Sequence, residues 1–371
     1  MNAGVRALAY VEVPRFYAQV ERLRHPDLAA RPLVVGGDPR KRGQVQSASA
    51  DALAAGVAIG MPMLEALERC PRARALRTDM KHYREVAGRV RALLRDELGE
   101  LEPVGLEGAF ADVGRIGRSP RALALALCAR VRDELGLVAR AGVAPVKFLA
   151  RVAAERAGDG EVVEVAAGEE ERFLAPLPVA ALPGVGPRTV AALRDLGVKC
   201  VGDLSRVDRA ALETALGNHG LRILELARGD DGQPLRAARA PSTLSQESTF
   251  EEPQEDLATI EDRAARLATG LAAALARQGL RARRVAVKLR FADHETATRS
   301  RTVDPPIASA AELAGAARSL LARTHAGARP VRTVGLHLGA LVGGRRDDGQ
   351  LDLFEAQGGP DPRDGGRADG A

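Results

Sequence analysis

The sequence is poor in the residue types that build several common kinds of site. Among its 371 residues there is no tryptophan, with three tyrosines and seven phenylalanines. This scarcity argues against binding dominated by an aromatic cage or a stacking platform. The three cysteines, Cys70, Cys128 and Cys200, are scattered and odd in number, so they form neither a disulfide framework nor a zinc set. We therefore expect a reducing, cytoplasmic environment.

Long apolar runs are also missing. No run of about 18 uncharged apolar residues occurs, so we expect no membrane span. Charged residues at positions 6, 12 and 15 come too early for a signal peptide. Lysine supplies five of the 54 basic residues, and this arginine bias makes clustering more informative than the total. The 46% hydrophobic and 28% charged fractions exclude bulk disorder, and the length predicts two or three domains.

The order of apolar patterns predicts an α+β multidomain protein. Residues 1–165 form the first α+β domain, and residues 166–232 form a compact helical domain after a proline-marked boundary. Residues 233–243 are an exposed basic linker, residues 244–342 are a second α+β unit, and residues 343–371 are a disordered tail. In the first domain we predict strands at 5–11, 31–37, 104–113 and 137–144, and helices at 16–25, 61–70, 82–99 and 120–135. In the second α+β unit we predict a first strand that begins at 244, a helix at 256–278, a pair of strands at 283–303, a helix at 309–324 and a strand at 331–340.

The most specific local motif is LPGVGPRTVAALRDLGV at 182–198. Gly184 and Gly186 precede a helix with a regular apolar face, which is a helix-hairpin-helix signature. Backbone N–H groups in such a glycine turn can approach a DNA phosphate, the helix N-terminus adds its positive dipole, and Arg188 adds a charge. The alternative is a glycine-rich helix turn with no ligand.

A second basic cluster covers residues 277–301, with eight cations against two acids. Even spacing places Arg284, Lys288 and Arg290 on one face of a strand, and a one-sided basic sheet suits a nucleic-acid backbone. The alternative is a solvated sheet face in an arginine-rich protein.

A third motif lies in the polar tail. Gln350, Leu351, Leu353 and Phe354 form a short peptide with apolar anchors and one amide, typical of a linear motif that docks into an apolar cleft. The alternative is a chance apolar spot in a loop.

Over residues 5–355 the chain resembles the Y-family (translesion) DNA polymerases. The motifs that carry the resemblance are VEVPRFYAQVE (11–21), GVAIGMPMLEALERCP (56–71), HYREV (82–86), PVGLEGAFADV (103–113), AGVAPVKFLARVAA (141–154), HGLRILELARGDD (219–231) and QLDLF (350–354). The resemblance implies a right-hand arrangement of palm and fingers, helix-hairpin-helix thumb, little finger and a sliding-clamp peptide. It also implies primer-template DNA, bound largely independently of sequence, as a partner.

The same resemblance implies Mg²⁺ on three acidic ligands, but here the pattern departs from the family. The family's first aspartate corresponds to Glu12, and its Asp-Glu pair corresponds to Glu107 and Gly108, so one carboxylate is missing. Pro14 stands where the family often has another aspartate. Two-metal phosphoryl transfer needs all three ligands to hold the ions together. We therefore expect Glu12 and Glu107 to be catalytic remnants that hold Mg²⁺ weakly, if at all.

The nucleotide site departs too. Ala50 and Leu53 replace the family's triphosphate-binding Tyr and Arg, which removes a charge-assisted phosphate contact. The nucleotide-binding positions that survive by resemblance are Phe16, Tyr17, Tyr83 and Lys147. These aromatic side chains are also compatible with a role in core packing.

Two hypotheses follow. The first is a non-catalytic translesion subunit of a mutasome, located in the cytoplasm at the nucleoid, that binds DNA and the sliding clamp and recruits another polymerase. The second is an active but divergent polymerase that uses Glu12, Glu107 and an additional acid such as Asp112. A helix-hairpin-helix nuclease has little support, because no compact acidic metal cluster is visible in the sequence.

Overall fold

The computed structural model describes residues 7–41, 43–114, 116–236 and 242–343. The chain divides into two compact units, Met1–Ala238 and Arg239–Ala371. In the part of the chain that the structure describes, no helix is both long enough and apolar enough to cross a membrane.

The first unit is built around a five-stranded sheet in the order β5-β6-β1-β7-β8. Its strands are β1 (Leu8–Glu12), β5 (Glu102–Val104), β6 (Gly108–Asp112), β7 (Arg140–Ala144) and β8 (Val162–Glu164). Strand β1 is central and pairs antiparallel with both β6 and β7. It is buried throughout, so its alternating side chains enter two different cores.

Helices cover both faces of this sheet. They are α1 (Phe16–Arg24), α4 (Met80–Leu98), α5 (Pro120–Leu135) and α6 (Lys147–Arg156). Ala9 and Val11 of β1 share a core with α4 and α5. Tyr10 points the other way and packs with Phe110 and α6. Glu12, two residues beyond Tyr10, lies on the Tyr10 face at the end of the strand.

A three-stranded sheet in the order β3-β2-β4 forms a second, smaller layer. Its elements are β2 (Leu33–Gly36), β3 (Val45–Ala48), α2 (Ala50–Ala54), α3 (Met63–Arg69) and β4 (Arg74–Arg77). Val34, Val45 and Met63 belong to its core.

The helical part of the first unit follows. It comprises α7 (Glu170–Leu174), α8 (Pro187–Asp195), α9 (Arg209–Leu216) and α10 (Asn218–Ala227). Helix α8 buries Leu193 completely, with Val190 and Leu196 partly buried beside it, as the apolar spacing predicts. This core is continuous with the α6 face of the five-stranded sheet.

The second unit is a four-stranded antiparallel sheet in the order β11-β10-β12-β9. Its elements are β9 (Thr243–Gln254), α11 (Leu257–Gln278), β10 (Leu280–Phe291), β11 (Thr296–Ile307), α12 (Ala310–Leu321) and β12 (Val331–Gly343). Both helices pack on the face that carries Val285, Val287 and Leu289. The predicted α+β pattern of this unit is confirmed.

Several features of the first unit differ from the sequence-based expectation, and the short elements β3, β4, β8 and α2 were not predicted. The single strand predicted at 104–113 is wrong, because β5 and β6 are separate strands joined at Gly105, whose φ of 58° favours glycine. Helix α6 was not predicted, because its small apolar residues are buried on nearly every side and give no clear amphipathic stripe.

Candidate functional site

Glu12 lies in the middle of a row of three residues at one end of the five-stranded sheet. It is directly opposite Gly108 of β6 on one side and Arg140 of β7 on the other. At 8% exposure Glu12 is a buried acid, so it needs a partner inside the protein. Its nearest neighbours in the sheet are therefore a glycine without a side chain and an arginine.

Arg140 supplies that partner. Its Nε and Nη2 atoms donate to Glu12 Oε1 at 2.8 and 2.7 Å. Its Nη1 atom donates to the backbone carbonyls of Glu155 and Ala157 at 3.2 and 3.3 Å. Every nitrogen of the guanidinium group thus has an acceptor, and the arginine ties β1 to the end of α6.

Tyr10 fills the space beside Gly108. A Cβ atom on Gly108 would lie 2.5 Å from the Tyr10 hydroxyl and 2.8 Å from Cζ of the ring. Tyr10 is 1% exposed and packs against Phe110, with ring centroids 4.6 Å apart, so it has little freedom to move aside. Burial, followed by the negative charge of Glu12, raises the pKa of the Tyr10 hydroxyl well above its ordinary value. A carboxylate at position 108 has no room in this arrangement.

Glu107 also faces the site but folds back on its own turn. Its Oε2 atom accepts a hydrogen bond from the Leu106 N–H at 2.9 Å, and the carboxylate lies over Gly105. Glu12 and Glu107 line one cavity of about 410 Å³, together with Pro14, Arg15 and Tyr17. Arg15 forms an ion pair with Asp159.

Asp112 is not a substitute for the missing acid. It pairs with Leu8 at the opposite end of β1 from Glu12, and its carboxylate accepts from the Gly114 N–H at 3.0 Å. Four residues along a strand separate it from Gly108 by about 13 Å. The use of Asp112 as a third ligand beside Glu12 and Glu107 is therefore wrong for this structure, because the strand carries it out of reach.

The predicted nucleotide-binding residues separate into two places. Phe16 and Tyr17 line the cavity, and so does Leu53 of α2. Tyr83 lies behind Tyr17, with stacked rings whose centroids are 4.4 Å apart, and its hydroxyl donates to buried Glu21 at 2.6 Å. Tyr83 is fully buried, so it supports Tyr17 and packs the core.

Lys147 is buried and engaged elsewhere. Its Nζ donates to Glu102 Oε1 at 2.6 Å, and the Phe110 ring lies beneath it at 5.3 Å. Glu102 Oε2 accepts the Arg236 N–H at 2.6 Å, which attaches the segment after the helical domain to the sheet. In this structure Lys147 is therefore paired with Glu102, and its contact with a triphosphate stays a prediction.

The hairpin has the predicted shape. Gly184 has a φ of 80°, and Gly186 is the N-cap of α8 with Pro187 in the first turn. Nothing lies within 4 Å of where a Gly186 Cβ would be, so the turn is open to an approaching group. Arg188 is exposed in the first turn of the helix.

The basic strand also has the predicted polarity. Arg284, Lys288 and Arg290 lie on the sheet face opposite α11 and α12. Each pairs with a threonine of β11, whereas on β12 Arg290 pairs with a threonine and the other two pair with glycines. Glu247 of β9 reaches across Gly335 to Lys288, with its Oε1 atom 3.2 Å from Nζ.

Two members of the eight-cation cluster lie elsewhere. Arg299 donates to the Arg323 carbonyl and Arg301 donates to Ser319 of α12, so both turn toward the helix side. The peptide Gln350, Leu351, Leu353 and Phe354 lies outside the described residues.

Comparisons with known proteins match nearly the whole chain. The impB/mucB/samB family matches residues 11–155, its C-terminal domain matches residues 241–353, and the IMS family HHH motif matches residues 167–198. DNA polymerase IV of Halorhodospira halophila is 37% identical over 354 residues, which cover 95% of this chain and 99% of the relative. DNA polymerase IV of Methanoculleus marisnigri is 36% identical over 359 residues, with the same coverage. The chain belongs to the Y-family of DNA polymerases.

The solved structures agree with this family fold. A Y-family chimera of Dbh and Dpo4 superposes with a TM-score of 0.79 at 22% identity, over 91% of this chain and 99% of that one. DinB from Sulfolobus solfataricus has a TM-score of 0.66 at 22% identity, over 90% and 98% of the two chains. The Y-family architecture of palm, fingers, hairpin-bearing thumb and little finger is therefore confirmed as the fold.

In this Y-family chain the donor set does not fit a two-metal centre. Within the described residues, no three histidine, cysteine, aspartate or glutamate side chains come together to hold a metal ion. Glu12 is taken up by Arg140, and Tyr10 fills the position beside Gly108. The sequence predicts that a carboxylate is absent at position 108, but it did not lead us to predict the roles of Arg140 and Tyr10. The available signal for Arg140 was an arginine at the start of the otherwise apolar strand RAGVA.

Proposed function

We propose that this Y-family member is a non-catalytic translesion subunit, which binds primer-template DNA and the bacterial sliding clamp and recruits another polymerase in the cytoplasm. The single observation that supports the loss of nucleotidyl transfer is the row Gly108, Glu12, Arg140. In that row one carboxylate is missing and another is neutralised by arginine, so the donor set for two-metal phosphoryl transfer is incomplete.

The cavity is also poorly suited to a nucleoside triphosphate. Its two arginines, Arg15 and Arg140, are each paired with an acid of the chain. Lys147 is paired with Glu102, and Leu53 stands at the family's arginine position. Among the described residues that line the cavity, a triphosphate would meet Glu107 and no arginine or lysine that lacks an acidic partner.

DNA binding rests on two surfaces, one in each unit. The turn at Gly184 and Gly186 with Arg188 offers backbone donors and a charge, as do proteins that hold phosphates at a helix N-terminus. The sheet face with Arg284, Lys288 and Arg290 adds cations among hydroxyls. Contacts of this kind read the phosphate backbone, so binding is largely independent of sequence and falls with salt.

The C-terminal peptide accounts for binding to the sliding clamp. In this proposal Leu353 and Phe354 fill an apolar pocket of the clamp, and Gln350 hydrogen-bonds at the edge of that pocket. The isolated peptide binds with a Kd of about micromolar, because a short peptide loses conformational entropy when it binds. Calorimetry with purified clamp compares wild type, Leu353→Ala with Phe354→Ala, and the control Asp352→Ser. The double variant loses binding and the control keeps it; equal binding by the double variant removes the clamp from the proposal.

Primer extension with Mg²⁺ or Mn²⁺ and all four nucleotides tests the loss of transfer, with DNA polymerase IV of Halorhodospira halophila as the positive control. We expect the control to extend the primer and this protein to leave it unchanged. We expect Gly108→Glu to remain inactive, because the triphosphate contacts at Ala50 and Leu53 are still absent. Robust templated extension by the wild-type protein favours the active, divergent polymerase instead.

A further inference from the structure

Arg140 is a charged residue of the cavity to which neither the family motifs nor the DNA-binding proposal gives a role. It stands at the first position of β7, directly opposite Glu12, and it lines the cavity with Glu12 and Glu107. The family resemblance assigns Glu12 to a metal ion. Because Arg140 lies against Glu12, this acid already has a cation as its partner.

We propose that Arg140 is the resident cation of the palm, that its guanidinium takes the place of a divalent metal as the counter-ion of Glu12, and that the protein therefore folds and binds DNA without Mg²⁺. This inference rests on the proposed non-catalytic function and deepens it. It concerns what replaces the metal, whereas the function concerns the absence of transfer.

The geometry of the pair supports this role. Two guanidinium nitrogens donate to one oxygen of Glu12, and the third nitrogen is held by the carbonyls of Glu155 and Ala157. The planar fork is therefore fixed from both sides. A lysine in its place would present a single point charge without this fork.

Burial strengthens the pair. The side chains of Arg140 and Glu12 are 20% and 10% exposed, so the charges attract each other with little screening by water. A divalent ion approaching Glu12 would meet a positive charge already in contact with the carboxylate. A metal on this carboxylate would either lie beside the guanidinium charge or displace the guanidinium from its two contacts with Oε1, which would leave a largely buried cation without its acid.

The other side of Glu12 is closed as well. Gly108 provides no ligand there, and the Tyr10 hydroxyl lies 2.5 Å from where a Cβ of residue 108 would be. The remaining acid of the cavity, Glu107, is hydrogen-bonded to the Leu106 N–H. A metal ion would thus find one carboxylate held by arginine and another held by its own turn.

The test measures Mn²⁺ binding by electron paramagnetic resonance on the full-length protein, together with thermal unfolding and DNA binding in Mg²⁺ and in EDTA. The proteins compared are wild type, Glu12→Gln, Arg140→Gln, Arg140→Gln with Glu12→Gln, and Arg140→Lys. Arg15→Gln is the matched control, because it removes another paired arginine from the same cavity without touching Glu12.

We expect wild type and Arg15→Gln to bind Mn²⁺ weakly and to unfold at the same temperature in Mg²⁺ and EDTA. Arg140→Gln should bind Mn²⁺ more tightly by about tenfold or more, because a like charge has been removed from Glu12. That gain should vanish when Glu12→Gln is added. Arg140→Lys loses the fork but keeps a positive charge beside Glu12, so it should bind Mn²⁺ no more tightly than wild type; it provides a folded comparison if Arg140→Gln is unstable.

Mn²⁺ binding by wild type that depends on Glu12, an equal gain from Arg15→Gln, or no gain in folded Arg140→Gln would each overturn the inference. So would DNA binding by wild type that is lost in EDTA. If Arg140→Gln does not fold, tighter Mn²⁺ binding by Arg140→Lys than by wild type would also overturn it. Wild-type protein that binds Mn²⁺ through Glu12 but fails to extend primers overturns this inference alone, whereas templated extension overturns the proposed function.

Discussion

Replacing Lys147 distinguishes a structural lysine from a nucleotide ligand. In the structure its ammonium group is 2.6 Å from Glu102, and the two side chains are 9% and 19% exposed. Lys147→Met removes the cation but keeps most of the aliphatic volume. It leaves the Glu102 carboxylate with the Arg236 N–H as its remaining donor in this network.

The expected magnitude follows from that burial. Removing one partner of a buried ion pair costs about 3–5 kcal/mol, and the partial exposure of Glu102 places Lys147→Met near the lower end, at about 3 kcal/mol. Lys147→Met with Glu102→Leu removes both charges and should lose clearly less than the sum of the single changes. The exposed pair Glu65 and Arg69 on α3 is the matched control, and breaking it should cost about 0.5 kcal/mol or less.

The assay is urea unfolding of wild type, Lys147→Met, Glu102→Leu, their double variant and the control in which the pair of Glu65 and Arg69 is broken, combined with titration of a nucleoside triphosphate. We expect a large loss of stability in Lys147→Met, strong coupling to Glu102, and negligible nucleotide binding before and after the change. A Lys147→Met protein with wild-type stability but weaker nucleotide binding would refute the assignment of Lys147 to Glu102.

Three further changes probe other parts of the account. Gly108→Ala should lower the free energy of unfolding by about 1–3 kcal/mol, because the new Cβ would lie 2.5 Å from the Tyr10 hydroxyl. The loss should be smaller in a Tyr10→Phe background, which lacks that hydroxyl. Equal losses in urea unfolding would contradict this steric overlap. Arg284→Ala and Arg290→Ala should each reduce the slope of log affinity against log salt by about 0.9, and Lys288→Ala by less because Glu247 already neutralises it; unchanged slopes would remove this face from DNA binding. Hydrogen bonds from the Cys200 and Lys199 N–H groups lower the pKa of Asp203 to about 2, so its stabilisation is present above about pH 4 and is lost as the pH falls toward 2. Between these values wild type should lose stability more steeply than Asp203→Asn, and parallel pH profiles would contradict this.

Patterns that are local in sequence predicted most of the fold. Helix α11 is predicted by its apolar periodicity, because only one face of the helix is buried. The start of α8 is predicted by the glycines before it, because the turn there needs a backbone conformation at Gly184 that favours glycine. The boundary at Gly105 escaped prediction, since a glycine between two apolar runs fits a continuous strand as well as a turn.

The candidate site was predictable only in part. The family motifs identify Glu12, Glu107 and Gly108, because these residues are close in sequence to other motif residues. Arg140 lies 128 residues from Glu12, and its partnership depends on the antiparallel register of β1 and β7. Glu102 was missed for the same reason, since the pairing of β5 with β6 and the position of α6 bring it to Lys147.

The proposed loss of nucleotidyl transfer is tested most directly by single-nucleotide incorporation, with protein in excess over a primer-template and Mn²⁺ present. The comparison is between wild type and a Glu12→Ala, Glu107→Ala variant, whose matched purification controls for contaminating polymerases. We predict no incorporation above background by either protein. Templated incorporation by wild type that is absent in the double variant would contradict the proposed loss of nucleotidyl transfer, because it would show that Glu12 and Glu107 still support catalysis.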